Sequence, residues 1–280
     1  MNLVQAPIET GTLEVPGASL CYQVRGTGPL LLIISGRPTD AGALVGVAAC
    51  LADRYTVVTY DRRGPLSGPP VDTDVASAGD DAHRLLAALG TDPSYVLGNS
   101  GGALAGLHLA AHHPDQVREL LVHEPPLPGL LPDRDRWRAA FQDVHDTRRT
   151  GGAATGKCVG TAGGGGEPPV LPDPSVLPDP SVLPRAAAAG GVRGHGNPDY
   201  FLAHLLLPVL RFAADIAALR SGRVRVIVGV GTASGDGVPA RSARVLAELL
   251  GVRPIEFPGD HQGLAAEPAA SADVIRAVLR

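Results

Sequence analysis

Short apolar runs bounded by turn-forming residues recur at 29–34 (PLLLII), 55–60 (YTVVTY), 94–98 (SYVLG), 119–123 (ELLVH), 224–230 (VRVIVGV) and 254–257 (PIEF). Runs this short and this continuously apolar suit strands buried on both faces. Between them, helical patterning spans 41–52, 77–89, 101–113, 240–250 and 269–279. Strand alternating with helix predicts an α/β fold built on a doubly wound, mostly parallel sheet. Ahead of it, GTLEV (11–15) and SLCYQVRG (19–26) predict a hairpin on the sheet edge, which makes the sheet eight-stranded.

The alternation stops between about 125 and 222. A helix-like run RDRWRAAFQDVHDTRR (134–149) gives way to Gly-rich sequence and then to a tandem VLPDPS duplication, extended and semi-rigid because of its prolines. Helical patterning resumes in NPDYFLAHLLLPVLRFAADIAALR (197–220), where Pro208 is expected to kink or split the helix. The division this predicts is a core of 1–126 and 223–280 with a partly helical cap inserted at 127–222.

With 280 residues, 44% of them hydrophobic, the chain can bury a substantial core. Its net charge is −4 and its 24 basic residues, all arginine except Lys157, are scattered, so nothing forms a footprint for nucleic acid or an anionic membrane. Small, weakly polar substrates fit this surface better. Cys21, Cys50 and Cys158 are widely separated and odd in number, which predicts buried free thiols and argues against a disulfide framework or a Cys-based metal site. No basic start followed by an apolar run opens the chain and no apolar run approaches a bilayer-crossing length, so the expected location is cytoplasmic.

The run SYVLG leads directly into GNSGG (98–102) and a helix of small residues. This is G-x-S-x-G at a strand-to-helix turn, so tight that only small residues fit at Gly98 and Gly102. It presents Ser100 at a helix N-terminus, where free N–H groups and the helix dipole favour developing negative charge. Ser100 is therefore the candidate nucleophile.

With LLLIISGRPTDAG, VVTYDRRG, GNSGG, HEPP and EFPGDHQG in this order, the chain resembles the α/β-hydrolase family, in particular its small bacterial members. The resemblance covers nearly everything outside the insertion. It implies an oxyanion hole made of two backbone N–H groups, those of Gly101 and of Arg37 in SGRP, with Ser35 where the family often has His. Asp40 in the same segment also reads as a helix cap. DRRG (61–64) matches a segment that fixes its loop through buried polar contacts, although Arg62 or Arg63 could touch an acidic substrate. Of nine histidines, His261 stands just beyond the last predicted strand, where the family keeps its general base. The others read as helix, cap or loop residues, with His112 and His113 at a helix C-terminus that favours a cation.

The acid is ambiguous. Similar hydrolases end the penultimate strand in G-x-D, and Gly231, Thr232 and Ala233 fall on that pattern, so alanine stands in the acid's place. Asp236 lies three residues on, between Gly235 and Gly237, whose freedom lets the loop curl back; a solvated turn aspartate is the plainer reading of the same D-G pair. Glu124 is the alternative acid, because some members carry theirs after the preceding strand. A third possibility leaves the pair with no acid at all. The expected function is a serine hydrolase that cleaves an ester, thioester or lactone of a small, mainly apolar substrate, with no metal or organic cofactor. The alternatives are an isomerase, epimerase or cyclase using His261 as base, or a binding protein of reduced turnover. Leu127, Leu130, Leu131, Trp137, Phe141, Tyr200, Phe201 and Leu205 line an acyl pocket in one reading and form ordinary cap core in the other.

Overall fold

A computed structural model describes residues 7–36, 41–63, 74–90, 92–149 and 206–280. Eight strands form one sheet: β1 (Ile8–Val15), β2 (Ala18–Arg25), β3 (Leu30–Ile34), β4 (Thr56–Tyr60), β5 (Ser94–Asn99), β6 (Val117–His123), β7 (Arg225–Gly231) and β8 (Ile255–Phe257). Their spatial order is β1-β2-β4-β3-β5-β6-β7-β8. β1 and β2 pair antiparallel, β2 joins β4 antiparallel, and every later pairing is parallel. The edge hairpin and the six further strands thus take the places that the apolar pattern predicts.

The continuous hydrophobicity of the central strands follows from burial on both faces. Successive side chains alternate across the sheet: Leu32, Ile34, Val96, Leu120, Val122 and Val228 enter one core, and Leu31, Ile33, Leu97, Leu121 and Ile227 the other. Helices α2 (Val75–Leu89), α3 (Gly101–His112) and α7 (Val238–Leu250) cover the first face. Helices α1 (Val45–Leu51), the short α8 (Gly263–Ala266) and α9 (Pro268–Val278) cover the second.

Helix starts differ from the expected ones for local reasons. α2 begins two residues early because Asp74 caps it, accepting from Ser77 N–H at 2.7 Å. The 41–52 segment divides into a 3-10 turn over Ala41–Leu44 followed by α1.

Within the insertion, α4 (Arg134–Arg149) matches the expected helix, and α5 (Leu206–Arg211) and α6 (Ile216–Ser221) follow. Pro208 lies inside α5. The split comes at 212–215 instead, where Asp215 accepts from Ala218 N–H at 2.9 Å and starts a new helix. Of the apolar residues considered for a pocket, Leu131 and Trp137 form a small core with Val238, against which Phe141 packs, while Leu127 and Leu130 join the main core. The Gly-rich run, the VLPDPS repeat, Cys158, Tyr200, Phe201 and Leu205 lie outside the described residues. The thiols differ from expectation: Cys21 is exposed on β2, within the edge hairpin, and Cys50 is half-buried, so neither is the sealed core thiol predicted. No helix among the described residues is long and apolar enough to cross a membrane.

Candidate active site

β5 ends at Asn99 and α3 begins at Gly101, so Ser100 alone makes the turn. Its φ of 52° and ψ of −121° are a conformation that a residue with a Cβ keeps only when its surroundings impose it. The Ser100 N–H donates to His123 O at 2.9 Å and its carbonyl accepts from Ala103 N–H at 2.9 Å. Glycine is required on either side, because a Cβ on Gly102 would lie 2.1 Å from Ile34 O and one on Gly98 2.6 Å from Ala103 Cα. The hydroxyl is thereby held out of the sheet, at the end of the parallel strands.

Ser100 Oγ lies 3.0 Å from His261 Nε2, and His261 Nδ1 lies 2.7 Å from Glu124 Oε2. His261 sits beyond β8, in a loop closed by the Gly263 N–H donating to Asp260 O at 2.8 Å. Glu124 is the first residue after β6 and its backbone is also left-handed, at φ 47°. It is held there by its own N–H, which donates to Gly229 O at 3.1 Å, while Oε1 accepts from Gly231 N–H at 2.9 Å. Burial pushes the carboxyl up, but the hydrogen bonds it accepts, first among them that of His261, outweigh it and hold the group below its ordinary range. An ionised Glu124 accepts only, so it places the imidazole proton on Nδ1 and turns the Nε2 lone pair toward Ser100.

Asp236 is not part of this constellation. Its side chain is 98% exposed and faces Arg244 at 3.8 Å. The loop does not curl back because it is anchored earlier. Thr232 N–H donates to Phe257 O at 2.9 Å, Ala233 N–H to Gly259 O at 2.8 Å and Ser234 N–H to Gly231 O at 3.2 Å. Gly237 then leads straight into α7, which leaves the aspartate on the solvent rim.

Gly101 is buried and opens α3, so its N–H is among those a helix leaves without an intrahelical acceptor. Gly36 packs on the nucleophile, where a Cβ would lie 3.0 Å from Ser100 Cβ. Arg37, the other expected oxyanion donor, and Asp40 lie outside the described residues. In DRRG, Arg63 is structural: its guanidinium reaches both oxygens of the buried Asp81 and donates to Pro16 O at 2.7 Å. Arg62 instead donates from Nη2 to Gly36 O at 2.7 Å, beside the nucleophile.

One residue near the site was not singled out by the sequence. His123, the last residue of β6, is fully buried, with Nδ1 3.0 Å from Asn99 Oδ1 and its ring against Phe257 and 6.5 Å from that of His261. Burial pulls its pKa down to about 4, so it stays neutral. The signal was its place at the end of a strand with no exposed position after Arg118, not in a cap or loop. At the far end of α3, His113 stacks on His83 at 3.8 Å. Burial, and then the neighbouring His83, lowers its pKa, the opposite of the cation that the helix dipole alone would favour. No group of three His, Cys, Asp or Glu side chains among the described residues is arranged to hold a metal ion.

The family model of the alpha/beta hydrolase fold matches residues 29–162. An uncharacterized hydrolase of Bacillus subtilis (strain 168), YraK, is 36% identical over 264 residues, which span 91% of this chain and 90% of that one. Among solved structures, a thermophilic esterase from Thermogutta terrifontis superposes with a TM-score of 0.67 at 19% identity, over 97% of each chain. The enol-lactonase from Burkholderia xenovorans LB400 superposes with a TM-score of 0.66 at 20% identity, over 95% of this chain and 98% of its own. At such identities the two structures share the fold with this chain.

Proposed function

Because the chain belongs to the α/β-hydrolase fold family, we propose that it is a serine hydrolase, cleaving an ester, thioester or lactone of a small, largely apolar substrate through an acyl-enzyme. The observation that carries this reading is the unbroken relay Ser100 Oγ–His261 Nε2 at 3.0 Å and His261 Nδ1–Glu124 Oε2 at 2.7 Å. Ser100 attacks the carbonyl while His261 takes its proton. The imidazolium that forms is stabilised by Glu124, and it then protonates the leaving group. Water, activated by the same histidine, releases the acyl group. The backbone N–H of Gly101 holds the oxyanion, a contribution of about 10²- to 10³-fold per donor. The names of the relatives, an esterase and an enol-lactonase among them, support the substrate class.

The non-hydrolytic readings drew their weight from the alanine at position 233. With Glu124 bonded to His261 from the neighbouring strand exit, that ground falls away. The test is a fluorophosphonate probe. The wild-type chain gains the mass of one phosphonyl group, and neither Ser100→Ala nor His261→Ala does so at a comparable rate. A folded wild-type protein that resists the probe would refute the assignment.

A further inference from the structure

Arg62 leaves β4 beside the loop that carries Gly36, and its Nη2 stands 2.7 Å from Gly36 O and 3.6 Å from where a Cβ on Gly101 would project. Gly36 in turn covers the nucleophile, with a Cβ position 3.5 Å from Ser100 Oγ. The guanidinium is thus one residue's breadth from the reacting hydroxyl, on the side of the helix N-terminus. Its neighbour Arg63 is neutralised by Asp81. Arg62 has no carboxylate partner among the described residues.

That charge is held under poor conditions. Gly36 O is the acceptor the described residues offer it, and Nε is sealed from solvent with no partner. Burial pulls its pKa below the ordinary value, and the ionisable group whose charge bears on it is Tyr60, whose hydroxyl is itself sealed and held in its neutral form by burial. A guanidinium has five donors in a planar fork that matches a carboxylate. Desolvating such a group is unfavourable unless an anion offsets it, a role that no carboxylate among the described residues fills and a ligand's carboxylate can.

We propose that Arg62 is the receptor for a carboxylate on the substrate, so that the preferred substrates are short esters or lactones carrying a free carboxylate at the far end of the acyl chain. This deepens the serine-hydrolase reading and rests on it. It also revises the expectation of a mainly apolar substrate, since the acyl chain ends on a cation. Carboxylate is favoured over phosphate because one guanidinium, already sharing one donor with Gly36, offsets a single negative charge, whereas a phosphate monoester carries about −1.5 to −2.

The test compares monoethyl succinate with its neutral isostere ethyl 4-methylpentanoate, by acid release in a pH-stat. For the wild-type enzyme kcat/KM favours the charged ester by tenfold or more. In Arg62→Gln that ratio falls at least tenfold, and in Arg62→Lys, which keeps the charge but not the fork, it falls less. A second measurement needs no turnover: succinate raises the Tm of Ser100→Ala and fails to raise that of Ser100→Ala/Arg62→Gln, or of Ser100→Ala/Arg62→Lys to the same extent should the glutamine variant not fold. An Arg62-dependent Tm shift with no ester turned over would keep the receptor and sink the hydrolase reading. Equal ratios with and without Arg62, or a shift that survives its replacement, would overturn the receptor and leave the hydrolase standing. A phosphate shift as large as that of succinate would overturn the carboxylate assignment.

Discussion

Replacing Glu124 by glutamine changes one atom type in a side chain that is 1% exposed, and the surrounding hydrogen bonds dictate the result. Oε1 accepts from Gly231 N–H at 2.9 Å, which obliges the amide to keep its oxygen there and to turn its NH₂ toward His261 Nδ1, 2.7 Å away. A donor facing Nδ1 forces that nitrogen to accept, so the imidazole proton moves to Nε2. Nε2 then donates toward Ser100 Oγ and can no longer take its proton. In a serine protease the corresponding change lowers kcat about 10⁴-fold with the geometry intact, roughly 5 kcal/mol at 1.36 kcal/mol per decade. A loss of 10³- to 10⁴-fold is expected here, because His261 is 30% exposed and water softens the tautomer preference. The assay is steady-state hydrolysis of a 4-nitrophenyl ester together with the rate of fluorophosphonate labelling, with a melting curve to verify folding. Asp236→Asn is the control and stays within twofold of wild type. Retention of more than a tenth of wild-type kcat by Glu124→Gln, or a tenfold loss in Asp236→Asn, would refute the reasoning.

Three further outcomes follow from the geometry of the fold. Gly102→Ala places a methyl 2.1 Å from Ile34 O, a backbone contact that no rotamer relieves, so a loss of at least about 3 kcal/mol or a failure to fold is expected in urea denaturation. Ser100→Gly removes a Cβ from a backbone at φ 52°, and should raise stability by about 1 kcal/mol while abolishing labelling; an unchanged or lower midpoint would show that the turn is unstrained. His123 titrates near 4 in the fold against 6.5 ordinarily, so the unfolded chain binds its proton first as pH falls. Stability is therefore full above about pH 6.5 and drops by about 3 kcal/mol on the way to pH 4, with His108 and His113 adding in the same direction. Denaturation across that range, repeated with His123→Gln, isolates the share of this one imidazole.

The central strands were legible because burial on both faces fills their middles with consecutive apolar residues, and the elbow because steric crowding at Gly98 and Gly102 admits no other residue. The acid was not. Two strand exits offer a carboxylate, and which one reaches His261 depends on backbone anchors, Ala233 N–H to Gly259 O and Glu124 N–H to Gly229 O, that no side-chain pattern encodes. His123 was overlooked for a related reason: a histidine ending an apolar run reads as the start of a loop, whereas parallel pairing with Gly229 keeps it inside the sheet. Cys21 sits on a strand of the hairpin, where one position is exposed to solvent, so composition alone misjudged its burial.

Glu124 is followed at once by Pro125 and Pro126, and through them by the long insertion. The same peptide that aims the carboxylate at His261 therefore also sets the heading on which the chain departs toward residue 127. Remodelling that excursion to accept new molecules is not independent of the chemistry: a graft entering at a different angle would twist the hinge at Glu124. By contrast, Asp236, relieved of the customary duty, stands on the solvent rim where side-chain identity is free to drift.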